Sequence, residues 1–124
     1  MAPKKILVVE DNEDNREILA ARLKRLGNFE IFLATNGREA LEVGAGARPD
    51  LIFMNLRMPV MDGYQATEVL RRTDWASAVP IVVVSAHARE DDKRRALQMG
   101  CNDFLPKPVT EDASLQSLLQ KFFG

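Results

Sequence analysis

Residues of distinct chemistry stand directly after the short apolar runs of this chain. Glu10 and Asp11 follow Ile6–Val9, Asn55 follows Leu51–Met54, Ser85 follows Ile81–Val84, and Lys107 with Pro108 follows Asp103–Leu105. Two carboxylates, an amide, a hydroxyl and an ammonium in one place would hold a hard divalent cation and an anion. Oxygen-only ligands of this kind suit Mg2+, which prefers one or two carboxylates and keeps several waters. A nucleotide or flavin loop instead needs glycines or hydroxyls after the first strand, so that bare N–H groups cradle the phosphate. Here the adjacent carboxylates Glu10 and Asp11 would repel a phosphate unless a metal intervened. Glu13 and Asp14 are explained by the positive end of a helix dipole, whereas Glu10 and Asp11 precede that helix.

These residues need a frame that brings them together. The runs Lys5–Val9, Phe29–Ala34, Leu51–Met54, Ile81–Val84 and Asp103–Leu105 read as strands. Between them lie stretches with helical spacing: Leu19, Leu23 and Leu26, then Ala66, Val69, Leu70 and Thr73, then Leu115, Leu118, Leu119 and Phe122. Asn36 with Glu39 resembles a capping pair, Gly27 and Gly100 stand at expected helix ends, and Pro49 and Pro80 precede strands. Three of the strands lack polar alternation, the mark of interior parallel strands covered on both faces. Five strands alternating with five helices predict a three-layer α/β domain, (βα)5, with one parallel sheet. Ligands of such sheets bind beyond the carboxyl ends of the strands, where strand order reverses. That is where Glu10, Asp11, Asn55, Ser85 and Lys107 are predicted to meet.

Composition narrows the function. The 124 residues are 46% apolar and read as a single domain, 1–124, able to bury a core. Lysine plus arginine number 17 against 18 acids, a net charge of −1, which argues against a nucleic-acid coat or a polybasic membrane anchor. No apolar run approaches the roughly 18 residues of a membrane span. A cytoplasmic location without membrane or nucleic-acid partners is expected. The lone Cys101 excludes an intramolecular disulfide. Enzyme readings are weak. Asn55-Leu56-Arg57 lacks both acids of a D-x-D phosphatase, and neither a G-x-S-x-G elbow nor a G-x-x-x-x-G-K loop is present.

The strings "ILVVEDNEDNREIL", "PDLIFMNLRMPVMDGYQATEVLR", "PIVVVSAHA" and "GCNDFLPKPV" resemble, in order and spacing, a response-regulator receiver domain of two-component phosphorelay signalling. The resemblance implies a flavodoxin-like (βα)5 fold, and a single-domain regulator or an excised receiver. It matches Glu10 and Asp11 to the acidic pair that holds Mg2+, with the Arg57 backbone carbonyl as a further ligand. Asn55 falls where the family places its phosphoacceptor aspartate. Ser85 matches the hydroxyl that binds the phosphoryl oxygen, and Lys107 the lysine that contacts it. Phe104 matches the switch aromatic, and Lys107-Pro108 resembles the family's cis peptide. The implied partners are a sensor histidine kinase or histidine phosphotransfer protein, and a downstream target on the face of the fourth helix, fifth strand and fifth helix.

Asn55 is the departure that matters. The family's reaction needs a carboxylate to attack phosphorus, and an amide oxygen is a far weaker nucleophile. Phosphorylation of this chain is therefore not expected, and one charge is lost from the pocket. An amide carbonyl can still bind Mg2+, so weakened metal binding is expected. Two accounts compete for Asn55. The favoured one is an engineered variant, because Ser85 and Lys107 are retained. The alternative is a natural pseudo-receiver that acts as a phosphorylation-independent docking module.

Plain readings suffice for the remaining candidates. His87 reads as a surface histidine, Cys101 as a packing residue, and Met54, Met58 and Met61 as core and loop packing. Trp75 is expected to be partly exposed after the third helix. Glu90 and Asp91, four residues before Arg94 and Arg95, predict charge pairs on a solvated helix face.

Overall fold

The computed structural model describes residues 2–86, 89–109 and 111–124. In chain order the elements are β1 (Lys4–Val9), α1 (Glu13–Leu26), β2 (Phe29–Ala34), α2 (Gly37–Ala47), β3 (Leu51–Asn55), α3 (Gly63–Arg71), a single 3-10 turn (Asp74–Ala76), β4 (Ile81–Ser85), α4 (Glu90–Met99), β5 (Asp103–Pro106) and α5 (Asp112–Phe123). The strands form one sheet in the order β2-β1-β3-β4-β5, and every neighbouring pair is parallel. This is the (βα)5 arrangement that the alternating pattern predicts, with the flavodoxin-like strand order that the resemblance implies.

Burial follows from the composition of the strands. Every residue of β3 and β4 is buried, as are Ile6–Val9 of β1. The edge strand β2 is half-covered, which is where polar Glu30 is tolerated. Alternate strand residues divide between two cores. Leu7, Val9, Ile52, Met54, Ile81 and Val83 pack with Ala40, Ala66, Leu70 and Ala96, placing α2, α3 and α4 on one face. Ile6, Val8, Leu51, Phe53, Val82 and Val84 pack with Leu19, Leu23, Leu115, Leu118 and Leu119, placing α1 and α5 on the other. Each fully buried Leu, Ile or Phe adds roughly 1.5–3 kcal/mol, so these two layers carry the fold.

Several local expectations hold and several are refined. Asn36 caps α2 through the Glu39 N–H at 2.8 Å, but the Glu39 carboxylate turns to the Thr35 N–H and hydroxyl, each at 3.1 Å. Gly100 ends α4 at φ +112, a left-handed conformation that a Cβ would strain. Gly27 ends α1 in extended backbone instead, which any residue can adopt. The third helix stops at Arg71, and Thr73 donates its hydroxyl to the Val69 carbonyl. Trp75 is half-buried, with its ring seated against Gly44, where an added Cβ would stand 2.5 Å from it. Asp91 pairs with Arg94 at 3.6 Å, but Arg95 leaves the expected charge pair and lies over the ring of Tyr64. Cys101 and Met54 are buried. His87 lies outside the described residues. Among them, no helix is long and apolar enough to cross a membrane.

Candidate functional site

Strand order reverses at β1, which lies between β2 and β3, so the loops leaving β1 and β3 diverge beside each other. The β1 loop carries Glu10 and Asp11, and β3 ends on Asn55. Register aligns Val9 with Met54 and Asn55 with Val84. Ser85 therefore closes β4 one residue beyond the partner of Asn55. Its Cα pairs with Pro106, and its carbonyl accepts the Lys107 N–H at 2.9 Å. All five strand-end residues thus collect at one end of the sheet.

Glu10, Asn55 and Ser85 are buried, which is unusual for polar groups and demands partners. Glu10 meets this demand on both oxygens. Its Oε1 forms an ion pair with the Lys107 ammonium, and its Oε2 accepts from the Asn12 N–H at 3.1 Å. The Lys107-Pro108 peptide is cis. Asn55 meets the demand with one atom. Its Nδ2 donates to Glu10 Oε2 at 3.0 Å, to Asp11 Oδ1 at 3.0 Å and to the Arg57 carbonyl at 3.1 Å. Three oxygens from two loops therefore converge on a single amide nitrogen. The amide oxygen, the atom expected to serve a cation, is turned from them. Reversing the amide by a half-turn about Cβ–Cγ would bring it round.

The supporting residues are local in origin. Asn12 caps α1 by accepting the Asn15 N–H at 2.9 Å, which fixes where the acidic loop joins the helix. Arg16 then reaches back from the first turns of α1 and donates to the Glu10 carbonyl at 2.9 Å. Asp62 and Gln65 form a reciprocal capping box at the start of α3, with Gln65 N–H to Asp62 Oδ1 at 2.8 Å. Gly63 lets that helix begin against the strand end: an added Cβ would lie 2.2 Å from the Asn55 carbonyl oxygen. Gly37 N–H donates to the Met61 carbonyl at 2.8 Å and ties the same loop to α2. In that loop Val60 is exposed at φ +70, a costly conformation for a β-branched side chain.

Phe104 is half-buried on β5, packed on the α2–α3–α4 side, with the Lys93 ammonium 5.9 Å from its ring centroid. Sequence reasoning did not assign a role to Arg16 or to the pair Tyr64 and Arg95. The Asp62-Gly63-x-Gln65 spacing is the local signal for the start of α3. Tyr64 and Arg95 are separated by 31 positions of chain, and nothing local announces their meeting.

The description "response regulator receiver domain" belongs to the family model that matches residues 6–119. The chain is a member of that family. Its likeness to known receivers is spread over its whole length. The polar-differentiation response regulator DivK of Brucella anthropi is 32% identical over 116 residues, covering 94% of each chain. Hybrid signal transduction histidine kinase A of Dictyostelium discoideum is 40% identical over 126 residues, and this receiver spans only 6% of its length. The crystal structure of a sensor histidine kinase receiver domain from Pseudomonas aeruginosa PAO1 matches with a TM-score of 0.90. It is 39% identical and covers 99% of both chains. That structure is described as holding a magnesium ion in its active-site cleft. Two-component phosphorelay signalling is thus the setting of this receiver.

Proposed function

We propose that this receiver has a complete phosphoacceptor pocket whose acceptor position, Asn55, cannot take a phosphoryl group. The observation that carries the proposal is the convergence of Glu10, Asp11 and the Arg57 carbonyl on the side chain of residue 55, within 3.0–3.1 Å of one atom. Three oxygens aimed at one point form the donor set that a hard divalent cation needs, so the residues present fit Mg2+. Glu10, Asp11 and the Arg57 carbonyl would hold it, with the Asn55 oxygen available only after the amide reverses. When bound, the cation supplies charge neutralisation at the phosphoryl oxygens.

The protein groups divide the remaining work. Lys107, carried on the β5 exit and held by Glu10, is placed to meet a phosphoryl oxygen. The buried hydroxyl of Ser85 at the end of β4 takes the neighbouring oxygen. A carboxylate at position 55 would attack phosphorus as the bond to the donor breaks, leaving an acyl phosphate on the side chain. An amide lacks the charge for that attack. The donor is a histidine kinase or a phosphotransfer protein. The readout is a protein contact on the face of α4, β5 and α5, where Leu97 is exposed and Phe104 is half-buried. The intact Lys107 and Ser85 favour replacement of an aspartate in a working receiver over long-standing loss of function.

Incubation with a small acyl-phosphate donor and Mg2+ tests this reading. Asn55→Asp is expected to yield a phosphoprotein by mass spectrometry, and the chain as it stands none. An inert Asn55→Asp variant would instead favour a phosphorylation-independent docking module.

A further inference from the structure

Asn55 does more than remove a nucleophile. We infer that its amide N–H group serves as a built-in substitute for the cation, closing the pocket without metal and opposing metal entry. The inference rests on the proposed function only in taking Glu10 Oε2, Asp11 Oδ1 and the Arg57 carbonyl as the ligand oxygens.

The charge count alone predicts something weaker. Exchanging a carboxylate for an amide removes one negative charge and leaves a neutral oxygen ligand, which lowers affinity for a divalent ion modestly. The geometry adds a second effect. The positively polarised end of the amide already points at all three ligand oxygens, at 3.0, 3.0 and 3.1 Å. An amide nitrogen carries two hydrogens, so three acceptors share them and the donor capacity is saturated. Two of these acceptors are carboxylates, and hydrogen bonds to charged acceptors are the stronger kind. Glu10 Oε1 is meanwhile paired with Lys107, and Asn12 N–H adds a further donor to Oε2. Every observed contact in this cluster joins a donor to an acceptor.

Metal binding must dismantle that arrangement. The three amide contacts break, the side chain reverses or withdraws, and only then are the oxygens released. An aspartate at the same place has no donor. Its carboxylate would stand beside Glu10 and Asp11 with like charge, so the empty pocket is strained and a cation relieves it. The two side chains therefore give opposite couplings: Asn55 makes the folded chain indifferent to Mg2+, and aspartate makes it dependent.

Thermal unfolding with and without saturating Mg2+ tests the inference on three proteins: the chain as it stands, Asn55→Asp and Asn55→Ala. The alanine variant removes the amide without adding charge and releases the three oxygens from it alone. A ligand at 100 times its Kd raises the folded-to-unfolded ratio about 100-fold, which for a domain of this size moves the midpoint by about 10 °C. The expected Mg2+-induced rise is largest for Asn55→Asp, smaller for Asn55→Ala, and under about 1 °C for the chain as it stands. Without Mg2+, both variants are expected to melt below it. A Mg2+ response of the unaltered chain that equals or exceeds that of Asn55→Ala overturns the inference. So does an Asn55→Asp variant that melts at or above it in metal-free buffer. Phosphoryl uptake by Asn55→Asp is measured separately, so failure of the proposed function and failure of this inference are distinguishable.

Discussion

The guanidinium carbon of Arg95 on α4 lies 3.9 Å from the ring centroid of Tyr64 on α3. The Tyr64 hydroxyl donates in turn to Asp92, one turn earlier on α4, at 3.3 Å. One buried ring is thus gripped by two α4 side chains, on its face and at its tip. This grip fixes α4 against α3 beside the loop that leaves β4.

Tyr64 is the sole tyrosine, which makes its ionisation directly readable by ultraviolet absorbance. Burial pushes its phenol above the usual value, and the neighbouring Asp92 carboxylate adds to the rise. Asp92→Asn is expected to lower the midpoint toward that of free tyrosine. Arg95→Ala is expected to cost about 0.5–1 kcal/mol by urea unfolding, the range for an exposed cation over a ring. The sign of the pH effect follows from linkage. Above the unfolded tyrosine value of about 10, the unfolded chain loses its proton first, so stability falls as pH rises.

Gly63→Ala tests whether the approach of α3 to β3 positions residue 55. The added Cβ would meet the Asn55 carbonyl oxygen at 2.2 Å and the Leu56 Cα at 2.9 Å, both backbone atoms that cannot swing aside. A loss of roughly 1–3 kcal/mol is expected from such overpacking. In the Asn55→Asp background the same change is expected to slow phosphoryl uptake. Unchanged stability together with unchanged uptake would show that the close approach has no role.

Arg71 should be among the most sensitive polar positions. Its guanidinium donates to the carbonyls of Gly100 at 2.8 Å, Ala76 at 2.8 Å and Val79 at 2.7 Å, and to Asn102 Oδ1 at 2.7 Å. The Asn102 side chain also accepts the Ile81 N–H at 2.8 Å, so Arg71 ties the end of α3 to the starts of β4 and β5. Arg71→Ala is expected to cost about 2–4 kcal/mol in urea unfolding, because three part-buried carbonyls lose a charged donor. Arg71→Lys should rescue little of this, since one ammonium cannot span the divergent acceptors of a planar fork.

Acid sensitivity is expected at the ion pairs that tie α5 to β5 and to α1. Asp103 is pushed up by burial, but the Lys121 ammonium at 2.6 Å and the Phe104 N–H outweigh this and hold it below the usual aspartate value. Hydrogen bonds from Arg25 and Arg22 hold Asp112 down as well. Below the unfolded aspartate value of about 3.9 the unfolded chain binds protons that the folded chain still refuses. Their contribution is therefore complete above that pH and is lost as pH falls through the lower folded values. Urea midpoints followed from about pH 5 downward should fall less steeply in the double variant Asp103→Asn/Asp112→Asn.

Much of this molecule was legible in one dimension. The unbroken apolar stretches Ile6–Val9, Leu51–Met54 and Ile81–Val84 announced interior parallel strands, because only a strand covered on both faces can dispense with polar alternation. Once such strands are parallel, their exits share one end of the sheet, so Glu10, Asp11, Asn55 and Lys107 leave from the same edge, and the strand order brings them together. Residue types and strand ends together thus determined both the architecture and the membership of the pocket. Tertiary structure decided what those groups do to one another. That Nδ2 of Asn55, not its oxygen, faces Glu10, Asp11 and the Arg57 carbonyl depends on a torsion no sequence period encodes. That Arg95 abandons a neighbouring acid for Tyr64 depends on the distance between two packed helices. Periodicity reports which face a residue occupies. Partner choice is settled only when two such faces close on each other at ångström range.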